Sequence, residues 1–215
     1  MLNFLRNTDL VDISSLLQIL NEIISPRLSD RGFEWNEKYL WFDQPKNSIR
    51  HVFQYSRLKG ETGTFAWGVC LDFVPIIASN KLKYSRTDRS VTLHLFEWPD
   101  EYSNSFFKEN SEGGKTTHWA KHQTKKSIKY LFDKYEQKIM AWYDHASTTE
   151  NLIEIAEQQI ATGKSYNIHN PPPRLILAFL QARANQLENA KRTIEELQIT
   201  DEVKDLLLKK IRETS

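Results

Sequence analysis

The chain has 215 residues, 40% hydrophobic and 27% charged, with a net charge of +1. That suits one domain or one domain with a small appendage, and the near-zero balance gives no bulk pull towards nucleic acid or an anionic membrane. Its single cysteine, Cys70, excludes an internal disulfide framework and a multi-cysteine zinc centre.

The opening stretch, MLNFLRNTDLVD, has no long apolar run and no small-residue cleavage site, so no signal peptide is expected. No stretch approaches the roughly 20 apolar residues of a membrane helix. Cytoplasmic residence is the expectation. Ile13, Leu16, Leu17, Leu20 and Ile24 then recur at helical spacing behind Asp12, a good N-cap. Pro26 either kinks this helix or starts a second one, and Gly32 is placed to end it.

Strands follow. Phe33, Trp35, Tyr39 and Trp41 share one parity, which predicts a strand or a tight hairpin around Asn36-Glu37. IRHVFQYSRL and GTFAWGVCLDFVP are two more strands joined by KGETG, and SVTLHLFEWP is a fourth. ASNKLKYSRTDRS and residues 100 to 116 read as loops. In IRHVFQYSRL, Gln54 and Ser56 point one way and Phe53, Tyr55 and Arg57 the other. Either the aromatic side packs under helices and Gln54 and Ser56 face outward, or the reverse holds.

From Thr117 onward the pattern is helical. Ile128, Leu131, Phe132, Tyr135, Ile139 and Trp142 form an apolar stripe. A second helix follows Thr148 and closes at Gly163, and HNPPPR breaks the chain. Helices are expected over 174–185 and 188–198 and again after Thr200. The 174–198 hairpin looks like half of a tetratricopeptide-type unit without a repeat partner, so it reads as an appendage rather than a solenoid. The expected fold is α+β: residues 1–115 form an N-terminal helix packed on an antiparallel sheet of about four strands, and residues 116–215 are all-helical.

Helix, Gly32-Phe33, the aromatic residues Tyr39 to Trp41, Gln54-x-Ser56 and Phe65 to Val69 follow one another in an order that resembles an uncharacterised bacterial domain-of-unknown-function family. The resemblance covers about residues 12 to 100 and leaves the helical half unexplained. It implies a small cytoplasmic bacterial protein; some members are regarded as candidate immunity proteins encoded beside toxin genes. It carries over no catalytic residues.

The chemistry-bearing residues do not assemble into a motif. His118 and His122 have a metal-ligand spacing, but Trp119, Ala120 and Lys121 stand where a metalloprotease has its Glu. His94 lacks a nucleophile that can be placed beside it. Asp72 could be the first acid of a restriction-type nuclease, but Glu97 is followed by Trp98-Pro99 where the lysine belongs. SEGGKT lacks the first glycine of a phosphate loop and the strand before it. No catalytic residue, metal or cofactor is expected.

Binding remains. Lys121, Lys125 and Lys129 form a stripe at four-residue spacing, with Lys126, Lys134 and Lys138 nearby. Because the helix aromatics fall on the apolar stripe, the lysines suit an acidic protein surface more than a nucleic acid. The expected partner-binding residues are therefore Gln54, Ser56, Arg57, Lys121, Lys125 and Lys129. The expected function is a non-enzymatic protein of bacterial conflict or defence systems, such as an immunity- or antitoxin-like inhibitor or an accessory subunit, that binds a toxin or complex subunit. The alternative is a nucleic-acid-binding or nuclease-associated protein using the Lys121–Lys138 helix. No membrane partner is expected.

Overall fold

The computed structural model describes residues 10–84, 93–100, 102, 113–163 and 171–214. Most of the 100–116 loop, residues 90–92 of the expected fourth strand, Ser111-Glu112 of SEGGKT and His169-Asn170 of HNPPPR lie outside the described residues. The protein mixes helix and antiparallel sheet in the order helix, sheet, helices. No helix among the described residues is long and apolar enough to cross a membrane.

Helix α1 (Ile13–Ser29) starts where Asp12 accepts a hydrogen bond from the Ser15 amide at 2.9 Å. Leu16, Ile19, Leu20, Ile23 and Ile24 form its buried face. It runs on through Pro26 for one more turn, so the proline neither ends it nor opens a second helix.

The main sheet has six strands. These are β1 (Glu34–Trp35), β2 (Leu40–Phe42), β3 (Ile49–Leu58), β4 (Thr62–Leu71), β7 (Leu95–Glu97) and β8 (Thr116–Thr117). The order is β1-β2-β3-β4-β7, with β8 also pairing β4. Its register places Trp35 opposite Trp41, Trp41 opposite Phe53, and Gly63 opposite Thr116. The count exceeds the four expected because the 33–42 stretch is a hairpin that supplies two short strands, β1 and β2, and because β8 has only two residues, too few to show an alternating pattern, while β7 falls within the expected fourth strand. A separate ribbon joins β5 (Ile76–Ala78) and β6 (Lys81–Lys83), in a stretch whose polar composition reads as loop. Its turn is Ser79-Asn80, both with positive φ, the conformation that a two-residue hairpin needs.

Helices complete the chain: α2 (Lys121–His145), α3 (Thr149–Ala161), α4 (Pro173–Arg183), α5 (Leu187–Glu195) and α6 (Asp201–Thr214). The Thr148 hydroxyl caps α3 by accepting from the Asn151 amide.

Two compact units emerge, each drawn from three stretches of chain. Unit 1 comprises Met1–Gln44, His51–Trp67 and Phe96–Ala141; unit 2 comprises Pro45–Arg50, Gly68–Leu95 and Trp142–Ser215.

In unit 1 the helices cover one face of the sheet. Phe53 and Phe65 lie 5.2 Å apart, and Phe132 of α2 meets them at 5.6 and 5.9 Å. Trp41 packs edge-on against Phe53 and its indole N–H donates to Ser25 Oγ of α1 at 2.7 Å. Each ring pair is worth about 1 kcal/mol beyond its buried area. Arg27 clamps α1 to α2: its guanidinium lies over the Phe132 ring and pairs with Asp133 and Glu136.

In unit 2 the organising element is α4, whose residues Leu175 to Ala182 are all buried. Around it pack Val69 and Leu71 of β4, Phe73, Val74, Leu95, Leu152 and Ala156 of α3, Ala190 and Ile194 of α5, and Val203, Leu207 and Ile211 of α6. The C-terminal helices therefore pack on the strands rather than standing apart. His94 is buried in this unit and used structurally. Its Nδ1 accepts the Leu71 amide at 2.7 Å, its own amide donates to the Val69 carbonyl, and burial lowers its pKa to about 4. Cys70 is buried.

Candidate functional site

Alternation along β3 decides which face is wet. Phe53 and Tyr55 point into the aromatic core of unit 1, so Gln54 and Ser56 point the other way, where both are half-buried. The Gln54 amide donates to Ser56 Oγ at 3.2 Å. Leu40 stands opposite Gln54, and Val52, on the same side, is fully buried. The polar strip is therefore narrow. Arg57 is exposed, but alternation puts it with Tyr55, on the opposite face from Gln54 and Ser56.

The lysine stripe of α2 is largely answered by carboxylates. Lys125 pairs with Glu22 of α1 at 2.9 Å, and Lys129 pairs with Asp133 at 2.6 Å. Hydrogen bonding from Lys125 and its charge, with that of Lys121, lower the pKa of Glu22; Lys129 and Arg27 do the same for Asp133. The six expected binding residues thus do not meet on one surface: Gln54 and Ser56 face away from Arg57, and two of the three lysines are already paired.

What the structure does assemble is the junction between β8 and α2. Tyr55 Oη lies 2.5 Å from Thr116 Oγ1 and 2.7 Å from His118 Nε2, and all three side chains are buried. Burial raises the Tyr55 pKa; burial and then the Arg57 charge lower that of His118, so the network is neutral at neutral pH. Both backbone groups of His118 are also tied, its amide to the Glu61 carbonyl and its carbonyl to the Val11 amide, each at 2.9 Å. Gly63 is required beside this network, because a Cβ there would come within 2.1 Å of Tyr55 Oη. His118 and His122 do not converge: the first is locked onto Tyr55 and the second is exposed on α2.

Trp119 follows immediately and is 45% exposed. Its backbone bridges to Leu10 and its amide donates to Thr117 Oγ1 at 3.1 Å. Ala120 then takes φ of 52°, a left-handed turn that costs a non-glycine residue about 1 kcal/mol. The bridge ties the chain just before α1 to Trp119, and Ile13, the first residue of α1, is 56% exposed. A large aromatic is thus held out on backbone tied at Leu10 and His118, two residues before the exposed Lys121. Tyr130, further along α2, is 67% exposed, so the helix aromatics are not all core. Sequence periodicity misses both because Trp119 precedes the helix and Tyr130 sits one position from the apolar stripe.

A histidine–carboxylate pair, His51 with Asp43, was not expected from sequence. Asp43 Oδ1 accepts the His51 amide and Oδ2 lies 2.8 Å from His51 Nδ1. The signal was available in register: the Phe42 to Val52 pairing makes Asp43 and His51 neighbours. Among the described residues, no three His, Cys, Asp or Glu side chains gather into a group that could hold a metal ion.

No protein-family model matches the chain, and no curated protein or solved structure matches it.

Proposed function

We propose that this chain is a protein-binding protein that acts without catalysis, an immunity- or antitoxin-like inhibitor or accessory subunit of a bacterial conflict or defence system, resident in the cytoplasm. The observation that carries the reading is the rigid presentation of Trp119. Interfaces concentrate their binding energy in a few preorganised aromatic anchors, and Trp119 is fixed through His118, the Leu10 bridge and Ala120 before any partner arrives. Ile13, at the start of the helix that follows Leu10, supplies further exposed apolar surface, and Lys121 with the outer lysines of α2 steers an acidic partner without having to hold it. The domain-family resemblance points to the same class. Gln54 and Ser56 form a minor polar strip, not the centre of the interface.

The test is capture of partners from the native host with tagged protein, alongside a Trp119→Ala variant. The expected result is a stoichiometric acidic protein whose affinity falls about 30-fold in the variant, the loss of roughly 2 kcal/mol typical of a binding hot spot, with unchanged melting temperature. Retention of that partner by Trp119→Ala would refute the interface.

One observation favours a second reading, nucleic-acid binding by the Lys121–Lys138 helix. Lys126, Tyr130 and Lys134 lie at four-residue spacing, and the exposed Tyr130 ring could stack on a base. Nuclease-sensitive material in the eluate, with affinity falling steeply with salt, would favour this reading over the first.

A further inference from the structure

Unit 2 contains an open cleft of about 450 Å³ that the interface above does not use. Asp72 and Phe73, just beyond β4, form one wall; Tyr84, beyond β6, and Arg183, at the end of α4, form others; Lys210 and Glu213 of the last turns of α6 close it. The volume falls within the usual range of small-molecule sites, roughly 300–1,000 Å³.

Arg183 is the informative residue. Its guanidinium lies 4.8 Å above the Phe73 ring, and one of its N–H groups donates to the Asn47 carbonyl at 3.2 Å. No carboxylate among the described residues pairs with it. A half-buried arginine, oriented by a ring and a carbonyl and lacking a counter-ion, keeps most of its five N–H donors for an incoming anion. The second cation, Lys210, sits 5.7 Å over the Tyr84 ring and pairs with Glu213 at 2.7 Å. Tyr84 is 37% exposed and lines the cleft beside Lys210. Asp72 lines the same cleft.

We propose that this cleft binds a small organic anion built on a planar ring, of the size of a nucleoside monophosphate. Arg183 takes the anionic group with help from Lys210, and the ring lies along Tyr84. Arginine's fork suits a phosphate or a carboxylate, so the shared chemistry is an oxyanion attached to an aromatic body. Binding here is independent of the Trp119 surface.

The experiment is calorimetric titration of the full chain with adenosine monophosphate, benzoate and inorganic phosphate. Adenosine monophosphate is expected to saturate the cleft and to bind more tightly than inorganic phosphate, which lacks the ring. Benzoate above adenosine monophosphate would identify a carboxylate ligand; the reverse order identifies a phosphate. Arg183→Gln should weaken binding about tenfold or more, the cost of one charged hydrogen bond. Tyr84→Ala removes a partly exposed ring and keeps the test decisive if the arginine variant does not fold; it should weaken the ring-bearing ligands while leaving inorganic phosphate unchanged. Trp119→Ala should leave all three titrations unchanged. Absence of saturable binding by both ring-bearing anions, or binding indifferent to Arg183→Gln and Tyr84→Ala, would overturn the proposal.

Discussion

Replacing Tyr55 by Phe removes one oxygen and disturbs little else, which makes it the sharpest probe of the β8–α2 junction. The hydroxyl serves Thr116 Oγ1 at 2.5 Å and His118 Nε2 at 2.7 Å. Thr116 and His118 are each only 2% exposed, so neither orphaned atom can turn to bulk water. Each lost bond is worth about 1 kcal/mol, and each buried partner left unsatisfied adds to that, for a total of about 2–4 kcal/mol. In a chain of this length the melting temperature should fall by roughly 5–15 °C. Urea unfolding and calorimetry would measure it. A Tyr55→Phe/Thr116→Val double variant should lose less than the sum of the two single variants, because removing both members of a buried pair leaves fewer orphans. A Tyr55→Phe protein within about 0.5 kcal/mol of the parent would refute the claim that this network fixes the junction.

Two further outcomes are expected. His94 has a folded pKa of about 4, below its ordinary 6.5, so the unfolded chain binds the proton first as pH falls. Its stabilising contribution is complete above pH 6.5 and is lost towards pH 4, about 3 kcal/mol in all. His118, also depressed, acts in the same direction, whereas the depressed carboxylates Glu22 and Asp133 lose their contributions only below their ordinary values of 4.5 and 3.8. Denaturant titrations at several pH values should show this slope, and His94→Gln should flatten it; a parent curve that is level from pH 7 to 5 would contradict the assignment. Ala120→Gly should raise the unfolding free energy by up to about 1 kcal/mol, because glycine adopts positive φ without strain. A loss of stability in that variant would show that the left-handed turn is not strained.

The elements with long periodic signals were legible in the sequence. The α2 stripe Ile128, Leu131, Phe132, Tyr135 and Ile139 is buried as its spacing requires, and β3 and β4 occupy the two alternating runs. Asp12 and Thr148 are caps because their side chains can reach amides three residues on. Short pieces were not legible. β8 has two threonines and is a strand only because β4 offers a partner, and β5–β6 rests on a Ser-Asn turn in a polar stretch. The binding residues were least legible. Lys125 and Lys129 look available along the chain and are met by Glu22, 103 residues away, and by Asp133. Trp119 gains its rigidity from Leu10, Val11 and Tyr55, contacts that no local pattern encodes.

The interleaving of the two units bears on how the chain is made. Unit 2 needs Pro45–Arg50 and Gly68–Leu95 together with Trp142–Ser215, which is synthesised well after them. At ribosomal speeds of about 5–20 residues per second, Val69, Leu71 and Val74 wait roughly ten seconds for the helices that will bury them. During that interval a nascent strand with an apolar edge is open to chaperones and to neighbouring nascent chains. The yield of active protein in a cell therefore depends on translation rate over the second half of the message, a sensitivity that a chain with two sequential domains would not have.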